Sequence, residues 1–241
     1  MNLIIIQARM NSKRFKGKTL KVLKNKPLLS WVIESAKKVN TNTEVIVATS
    51  TNPEDDPIDL FCNENQTPIF RGDDENVYSR YRNIVDDYGP ELRTIIRLTA
   101  DNPLVPSKLI DAVLSTHLEK GNFYTSNIVN RTMPRGLDVE VISSKYFNSI
   151  IEARLTEDEK EHVTLELRKN IQKYKYSNFE YSKYQKYPDV RLCIDYEYDL
   201  LSINKALEYH DTNDLEDIIE FLNKEAKSSI TEQTRIDGIE W

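Results

Sequence analysis

A run of positively charged residues follows the first apolar segment of the chain. Residues 3–6 read Leu-Ile-Ile-Ile, and the next twelve residues hold five cations, which are Arg9, Lys13, Arg14, Lys16 and Lys18. A triphosphate needs several donors around its oxygens, and the arginine guanidinium matches the geometry of a phosphate. Because the formal net charge of the chain is -6, this local excess of cations favours an anion site over a solvated basic loop.

This basic segment lacks the common glycine-rich phosphate signatures. Neither GxxxxGK[ST] nor GxGxxG occurs in residues 3–18, and Gly17 is the only glycine there. We therefore expect a bound phosphate to be held by side chains and by backbone amides of residues other than glycine.

Two aspartates each follow an apolar segment directly. Asp101 comes after residues 94–98, and Asp195 comes after residues 191–194. Mg²⁺ prefers oxygen ligands and bridges to phosphates, so these carboxylates could converge on one metal from different strand ends. Asp101 is also compatible with a simple turn, and the nearby Asp199 with a cap for the following helix.

Three further polar residues stand in short motifs of the second half. Residues 136–141 place Asp138 and Glu140 on one face of a predicted strand, where two carboxylates are costly to bury without partners. They therefore face water or meet a ligand. His162, in the run Glu-His-Val-Thr, has a motif-like setting, but a lone histidine is more often structural. The sequence indicates no nucleophilic triad.

The elements that must position these residues alternate between strand and helix. Residues 3–6, 45–48 and 94–98 are short, apolar and rich in β-branched side chains, as in strands that are covered on both faces. Helical periodicity covers 27–39, a segment after Pro57, and 77–88. This order predicts an α/β fold with a mostly parallel central sheet and flanking helices, in which ligands bind beyond the carboxyl ends of the strands.

The second half predicts a smaller, more extended subdomain. Residues 122–142 are typical of extended pieces joined by turns, 154–173 of a charged helix, and 191–194 of a strand that precedes a helix over 198–209. The tyrosine-rich residues 174–188 suit either an interface or surface strands. We expect one domain over 1–227, with acceptor binding and dimerisation in about 122–190, and a C-terminal tail over 228–241.

Composition excludes several classes of protein. A net charge of -6 argues against a protein that coats nucleic acid. The two cysteines, Cys62 and Cys193, form no CxxC pair, so neither a zinc site nor a redox motif is indicated. No apolar run is long enough to span a membrane, and no leader with a basic start precedes the first strand. We expect a cytoplasmic protein.

Taken together, these motifs resemble a known family, the cytidylyltransferases that activate acidic sugars, which includes the CMP-Kdo and CMP-sialic acid synthetases. The likeness is to the spore-coat-polysaccharide (SpsF-like) type in particular, and it covers roughly residues 3–210. The segments that carry it are 7–18 (Gln-Ala-Arg-Met-Asn-Ser-Lys-Arg-Phe-Lys-Gly-Lys), 47–50, 70–72, 76–81, 99–104, 136–141, 161–164 and 195–200.

The resemblance implies a nucleotide-diphospho-sugar transferase fold of the GT-A kind and a set of site residues. The implied nucleotide-binding residues are Ala8, Arg9, Ser12, Arg14, Lys18, Thr49, Ser50, Arg80 and Asp101, of which Thr49, Ser50 and Arg80 would lie near the base and ribose. Asp101 and Asp195 would hold Mg²⁺, and Asp138, Glu140 and His162 would face the acceptor. Homodimers are usual in this family.

The chain departs from the family pattern at two places. Lys16 stands where proline is usual in the basic loop, and Tyr196-Glu197-Tyr198 replaces the common Thr-Pro-Glu after Asp195. The first change affects the stiffness of the loop. The second puts the geometry around Asp195 in question.

The predicted reaction is transfer of CMP from CTP to an acidic acceptor with release of pyrophosphate, in which Arg14, Lys18, Asp101 and Asp195 are the catalytic residues. Three alternatives stay open from the residues alone. One is a metal-dependent glycosyltransferase, although no DxD triplet stands in the candidate metal segments. A second is a hexose-1-phosphate nucleotidyltransferase, and a third is a nucleotide-binding protein without catalysis.

Overall fold

The apolar runs of the first half form the centre of a seven-stranded sheet. The computed structural model describes residues 1–181, 184, 187, 189–210 and 215–225. The strands are β1 (Asn2–Gln7), β2 (Val22–Leu23), β3 (Lys26–Pro27), β4 (Thr43–Ser50), β5 (Ile69–Gly72), β6 (Thr94–Thr99), β7 (Tyr124–Ser126), β8 (Glu140–Ser143) and β9 (Tyr176–Asn178). The sheet order is β5-β4-β1-β6-β8-β7-β9, and β2 and β3 form a separate small hairpin.

Parallel pairing brings the ends of three neighbouring strands to one edge. β4 and β6 both run parallel to β1, with Gln7 opposite Ala48 on one side and Thr99 on the other. β8 runs antiparallel to β6 and to β7. The segments after β1, β4 and β6 therefore emerge side by side, as predicted from the strand order.

Helices cover both faces of this sheet. They are α1 (Leu28–Lys37), α2 (Asp56–Glu64), α3 (Val77–Tyr88), α4 (Ser107–Lys120), α5 (Lys145–Ser149), α6 (Glu157–Glu161), α7 (Leu165–Lys169) and α8 (Glu197–Tyr209), and residues 215–225 are also helical. In β1, Ile4 and Ile6 point into the core cluster that α1, α4 and α8 complete. Leu3 and Ile5 point into the opposite cluster with α3 and α5, since successive strand side chains alternate between faces.

The three predicted helices of the first half are confirmed, and their ends have local causes. The side chain of Asn76 accepts a hydrogen bond from the Ser79 amide at 2.9 Å and caps the start of α3. Gly89, with φ 68°, follows its last residue. A positive φ favours glycine, so the helix ends where the sequence predicted.

The prediction of one continuous helix over 154–173 is wrong. The segment is broken into α6, α7 and a single 3₁₀ turn on each side. A capping box between Thr156 and Glu159 starts α6, and the backbone leaves helical geometry at His162. Val163 and Leu167 are both buried in the core. The first helix of the segment therefore ends at His162 and the second begins at Leu165, with the apolar Val163 packed into the core between them.

The predicted strand over 191–194 is also absent from the described part of the chain. This segment forms only an isolated bridge between Arg135 and Arg191. Gly136, at φ 102°, lies so close that a Cβ placed on it would meet the amide nitrogen of Cys193 at 2.3 Å. Only glycine permits this approach of two backbones. Asp195 therefore reaches its position through a bridge and not through a strand.

The tyrosine-rich region supplies one edge of the sheet. Tyr176–Asn178 forms β9, which pairs parallel to β7. Residues 182, 183, 185, 186 and 188 of this region lie outside the described residues, as does the predicted tail over 228–241. In the described segments, no helix combines the length and the apolar character needed to cross a membrane.

Candidate active site

A cavity of about 690 Å³ lies beyond the carboxyl ends of β1 and β6. Of the described residues that line it, nine are lysine or arginine and five are aspartate or glutamate. The chain as a whole is acidic, so folding has gathered cations from distant segments into this one cleft. An environment of this sign attracts a polyanion.

The basic loop after β1 is folded back on itself. The carbonyl of Met10 accepts hydrogen bonds from the amides of Ser12 and Gly17, at 2.9 and 2.8 Å. Gly17 adopts φ 72°, a left-handed conformation that leads into the turn Lys18–Leu20. The Thr19 hydroxyl donates to the Arg9 carbonyl at 2.7 Å. This closure turns Lys18 into the cavity.

Lys18 lies between the two aspartates that the sequence singled out. Its Nζ is 2.8 Å from Asp101 Oδ2 and 3.1 Å from Asp195 Oδ1, and it also donates to the Ile194 carbonyl at 2.8 Å. The lysine side chain is only 11% exposed, so water screens these contacts weakly. Asp101 and Asp195 therefore lie close together, with an ammonium group between them, and their binding of a metal stays a prediction.

Asp195 has further cationic partners. Arg14 Nη2 lies 2.8 Å from its Oδ1, and Arg191 Nη2 lies 3.0 Å from its Oδ2. Partial burial would raise the pKa of this carboxyl, but the charges and hydrogen bonds of Lys18, Arg14 and Arg191 outweigh it, so the pKa is lowered. Asp195 is thus held in its ionised form.

Asp199 helps to cap α8, but as the third residue of the helix in a capping box with Tyr196 and not as the N-cap residue itself. Its Oδ2 accepts hydrogen bonds from the amides of Asp195 and Tyr196, each at 2.9 Å. The Tyr196 ring lies under the guanidinium of Arg14, 5.2 Å from ring centroid to carbon. The unusual residues 196–198 therefore leave the Asp195 carboxylate in the cavity. Lys16, the other departure, is 70% exposed and pairs with Glu54.

The aspartate pair suits a divalent cation. Asp101 and Asp195 already place one oxygen each within 3.1 Å of a single cationic nitrogen, which stands in for the ion. Within the described residues, no group of three or more His, Cys, Asp and Glu side chains could hold a metal. Mg²⁺ is often bound through one or two carboxylates with substrate phosphates and waters, so two carboxylates suffice here.

Thr49, Ser50 and Arg80 do not line the cavity. Both hydroxyls donate to the buried carboxylate of Asp55, at 3.0 and 2.5 Å. Arg80 is fully buried and donates to the carbonyls of Asp73 and Asp74, each at 2.6 Å. These three side chains are thus outside the lining of the cavity, and their contact with the base and ribose of the nucleotide stays a prediction.

Asp55 is a site residue that the sequence reasoning missed. It is 1% exposed, and its Oδ1 accepts the Met10 amide of the basic loop at 2.7 Å. Its position at the end of the β4 segment, five residues after Ser50, was the available signal. The sequence rule for strand ends points to that segment but does not say which of its acids turns inward.

The predicted acceptor residues line the cavity, but two of them are already paired. Asp138 meets Arg131 through two hydrogen bonds of 2.6 and 2.9 Å. Glu140 is 1% exposed and contacts Arg97 and the Tyr124 hydroxyl. Burial would raise the pKa of Glu140, and the charge of Arg97 and the hydrogen bond from Tyr124 lower it overall. Neither carboxylate is therefore a free group awaiting an acceptor.

The third acceptor candidate and several arginines also line the cavity. His162 is exposed and lines the cavity, beside Glu161, which pairs with Arg9 at 3.1 Å. The second half also contributes four arginines that the sequence reasoning did not assign, which are Arg131, Arg135, Arg168 and Arg191. They are scattered along the chain, so no local motif marks them.

Comparison with known proteins agrees with this geometry. The model of the family described as Cytidylyltransferase matches residues 3–238. The spore coat polysaccharide biosynthesis protein SpsF of Bacillus subtilis is 35% identical over 210 residues, which is 85% of this chain and 85% of that protein. This family is the one that the motifs of the sequence resemble.

Solved structures share the fold. A cytidylyltransferase from Leptospira borgpetersenii superposes with a TM-score of 0.85 at 26% identity, covering 94% of this chain and 95% of that chain. A CMP:2-keto-3-deoxy-manno-octonic acid synthetase in complex with CTP gives a TM-score of 0.63 at 16% identity, covering 86% and 98%. The predicted nucleotidyltransferase fold is therefore confirmed. Sequence, cavity and fold agree, and the chain belongs to the cytidylyltransferase family.

Proposed function

We propose that this chain transfers CMP from CTP to a hydroxyl of an acidic sugar, with release of pyrophosphate, in the biosynthesis of a polysaccharide. The observation that carries the proposal is the contact of Lys18 with both Asp101 and Asp195 inside a cation-rich cavity at the strand ends. The relative SpsF belongs to spore coat polysaccharide biosynthesis. The octonic acid synthetase of the same fold is solved with CTP.

In this proposal the basic loop holds the triphosphate. Arg9, Ser12, Arg14 and Lys18 would contact the phosphates, with the backbone at Ala8 beside them. An acceptor hydroxyl oxygen attacks the α-phosphorus and releases its proton to water, the bond from that phosphorus to the bridging oxygen breaks, and pyrophosphate leaves. Arg14 and Lys18 would stabilise the charge that develops on pyrophosphate. The reaction depends on positioning and charge neutralisation, so it requires no protein nucleophile.

Asp101 and Asp195 would hold a divalent cation, which we expect to be Mg²⁺. Such an ion supplies charge neutralisation on the phosphates. Thr49, Ser50 and Arg80 would support the base and ribose side from behind the cavity, through the Asp55 network and the loop that follows β5.

The part of the cavity that is lined by residues of the second half would receive the acceptor. His162 is the predicted acceptor residue with an exposed side chain. Asp138 and Glu140 would act by fixing Arg131 and Arg97, whose guanidinium groups suit an acidic sugar. We further propose one catalytic domain over 1–227, a homodimer through the region 122–190, and a location in the cytoplasm.

A pyrophosphate-release assay tests the proposal. The intact chain is offered each of the four common nucleoside triphosphates with a panel of acidic sugars and Mg²⁺. We expect turnover with CTP and one acidic acceptor. Asp101→Ala should lower the rate by about 10²–10³-fold, the usual cost of losing one group that stabilises developing charge. Full Mg²⁺-dependent turnover by this variant would show the metal assignment to be wrong.

A matched variant controls for a general effect of removing an aspartate. Asp86 pairs with Arg82 on α3, outside the cavity. Asp86→Ala should therefore keep the wild-type rate. Release of pyrophosphate from another triphosphate in preference to CTP would contradict the proposed donor.

A further inference from the structure

Asp195 has more cationic partners than its charge requires. Its Oδ1 accepts from Arg14 and Lys18, and its Oδ2 accepts from Arg191, all within 3.1 Å. Lys18 is shared with Asp101. Three cations thus meet the two carboxylates that are proposed to hold the divalent ion.

A third carboxylate lies near this cluster but has another task. Asp199 Oδ1 is 3.8 Å from Arg191 Nε, which is too long for a hydrogen bond. The other oxygen of Asp199 accepts the backbone amides at the start of α8. Asp199 therefore stays with its helix. With Asp199 included, the cluster contains three carboxylates and three cations, so its formal charges cancel. Addition of a divalent ion would give this cluster two positive charges, opposite in sign to a triphosphate.

Arg191 has an unused hydrogen-bond donor. Its Nε is buried, and among the described residues it has no hydrogen-bond partner. The backbone of this segment is fixed, because the Leu192 amide donates to the Arg135 carbonyl at 2.6 Å. Within the described part of the chain, the guanidinium has its one hydrogen bond to Asp195, and it lines the same cavity as Arg14 and Lys18. A buried donor without a partner is costly, so a ligand that supplies an oxygen there would be favoured.

We infer that Arg191 is a phosphate-binding residue, and that Arg14, Lys18 and Arg191 exchange partners when the site is loaded. In the free protein they neutralise Asp101 and Asp195. When a divalent cation takes the two carboxylates, the three cations turn to the triphosphate. This inference rests on the proposed function, because it requires that a triphosphate and a divalent cation share the cavity.

The exchange makes the binding of metal and nucleotide cooperative. Without a metal, Asp195 competes with the triphosphate for the same three side chains. With a metal, that competition ends, and each ligand therefore raises the affinity of the other by the same factor. Removal of the charge of Asp195 frees the cations in the absence of metal.

Calorimetric titration of the intact chain with CTP tests this, once with Mg²⁺ and once with EDTA. No acceptor is present, so CTP is not consumed. Arg191→Met should weaken CTP binding in Mg²⁺ by about 10–100-fold, the value of hydrogen bonds to a charged group. Arg191→Lys, which keeps the charge but loses the fork, should lie between that variant and wild type. Arg82→Met is the control, since Arg82 pairs with Asp86 outside the cavity.

Asp195→Asn should change the affinity for CTP in the opposite direction. The amide keeps the shape of the side chain and removes its charge, so CTP should bind more tightly than to wild type in EDTA, and Mg²⁺ should raise that affinity less. The inference is overturned if Arg191→Met binds CTP with Mg²⁺ as wild type does, or if Asp195→Asn binds CTP in EDTA no more tightly than wild type. Failure of wild type to bind CTP in Mg²⁺ would instead contradict the proposed function. Thermal melting checks folding; should Arg191→Met not fold, Arg191→Lys and Asp195→Asn decide.

Discussion

Replacement of Asp55 by asparagine tests whether this buried carboxylate anchors the basic loop. Its Oδ1 accepts the Met10 amide at 2.7 Å, and its Oδ2 accepts the Ser50 amide at 3.2 Å together with the hydroxyls of Thr49 and Ser50. The hydroxyls can rotate and accept from an NH₂ group, whereas a backbone N–H can only donate. Asparagine has a single carbonyl oxygen, so one of the two backbone amides must lose its partner.

The expected loss of stability follows from the single backbone amide that loses its hydrogen-bond partner. A buried donor without a partner costs about 1–3 kcal/mol, so Asp55→Asn should lower the free energy of unfolding by that amount. In a chain of this length, each 1 kcal/mol lowers the melting temperature by roughly 2–4 °C. If the Met10 amide is the one that loses its partner, the Michaelis constant for CTP should rise by about tenfold, because the phosphate contacts of the loop lose their alignment.

Chemical denaturation and steady-state kinetics measure the two effects. Asp56→Asn is a matched control, because Asp56 is the next residue, pairs with Arg71 and has a side chain that is 62% exposed. It should change stability by less than about 0.5 kcal/mol. The reasoning would be refuted if Asp55→Asn unfolded within that same margin of wild type and kept the wild-type Michaelis constant for CTP.

Two further predictions concern buried charge. Glu140→Gln leaves the charge of Arg97 without its carboxylate in a buried setting, so the free energy of unfolding should fall by about 3 kcal/mol in a denaturant titration; Asp138→Asn, at a more exposed pair, should cost clearly less, and equal losses would contradict this. The pKa of Asp195 is lowered in the folded chain, so its stabilisation is present above the unfolded value of about 3.9 and is lost as pH falls through the folded value. In EDTA, wild type should therefore lose stability more steeply than Asp195→Asn below about pH 4, and parallel pH curves would contradict the ion-pair assignment.

The order of strands and helices made much of the site predictable. The apolar runs at 3–6, 45–48 and 94–98 became β1, β4 and β6, whose parallel pairing follows from the intervening helices. That pairing places Lys18 and Asp101 at one edge of the sheet. Their contact at 2.8 Å thus follows from a rule of topology applied to local patterns.

Asp195 lines the cavity although the strand predicted before it is absent from the described part of the chain. The apolar residues before it suggested a strand, yet they form only a bridge beside Gly136. Its carboxylate still reaches the cavity, because the Ile194 amide donates to the Asp101 carbonyl at 2.9 Å and Asp199 holds the Asp195 amide. The helix predicted over 154–173 is likewise interrupted, since the backbone leaves helical geometry at His162, just before the buried Val163.

The sequence by itself determined the fold class and the family, and it predicted an anion site in the loop from Gln7 to Lys18, because strand periodicity and a local cluster of cations are properties of adjacent residues. Only the tertiary structure decided which charges meet. It paired Asp195 with three cations, turned Thr49 and Ser50 inward onto Asp55, and brought Arg191 to the cavity. Some of these pairings join distant residues and others join near neighbours, but the free energy of each depends on burial and on distances of about 3 Å, which no local spacing records.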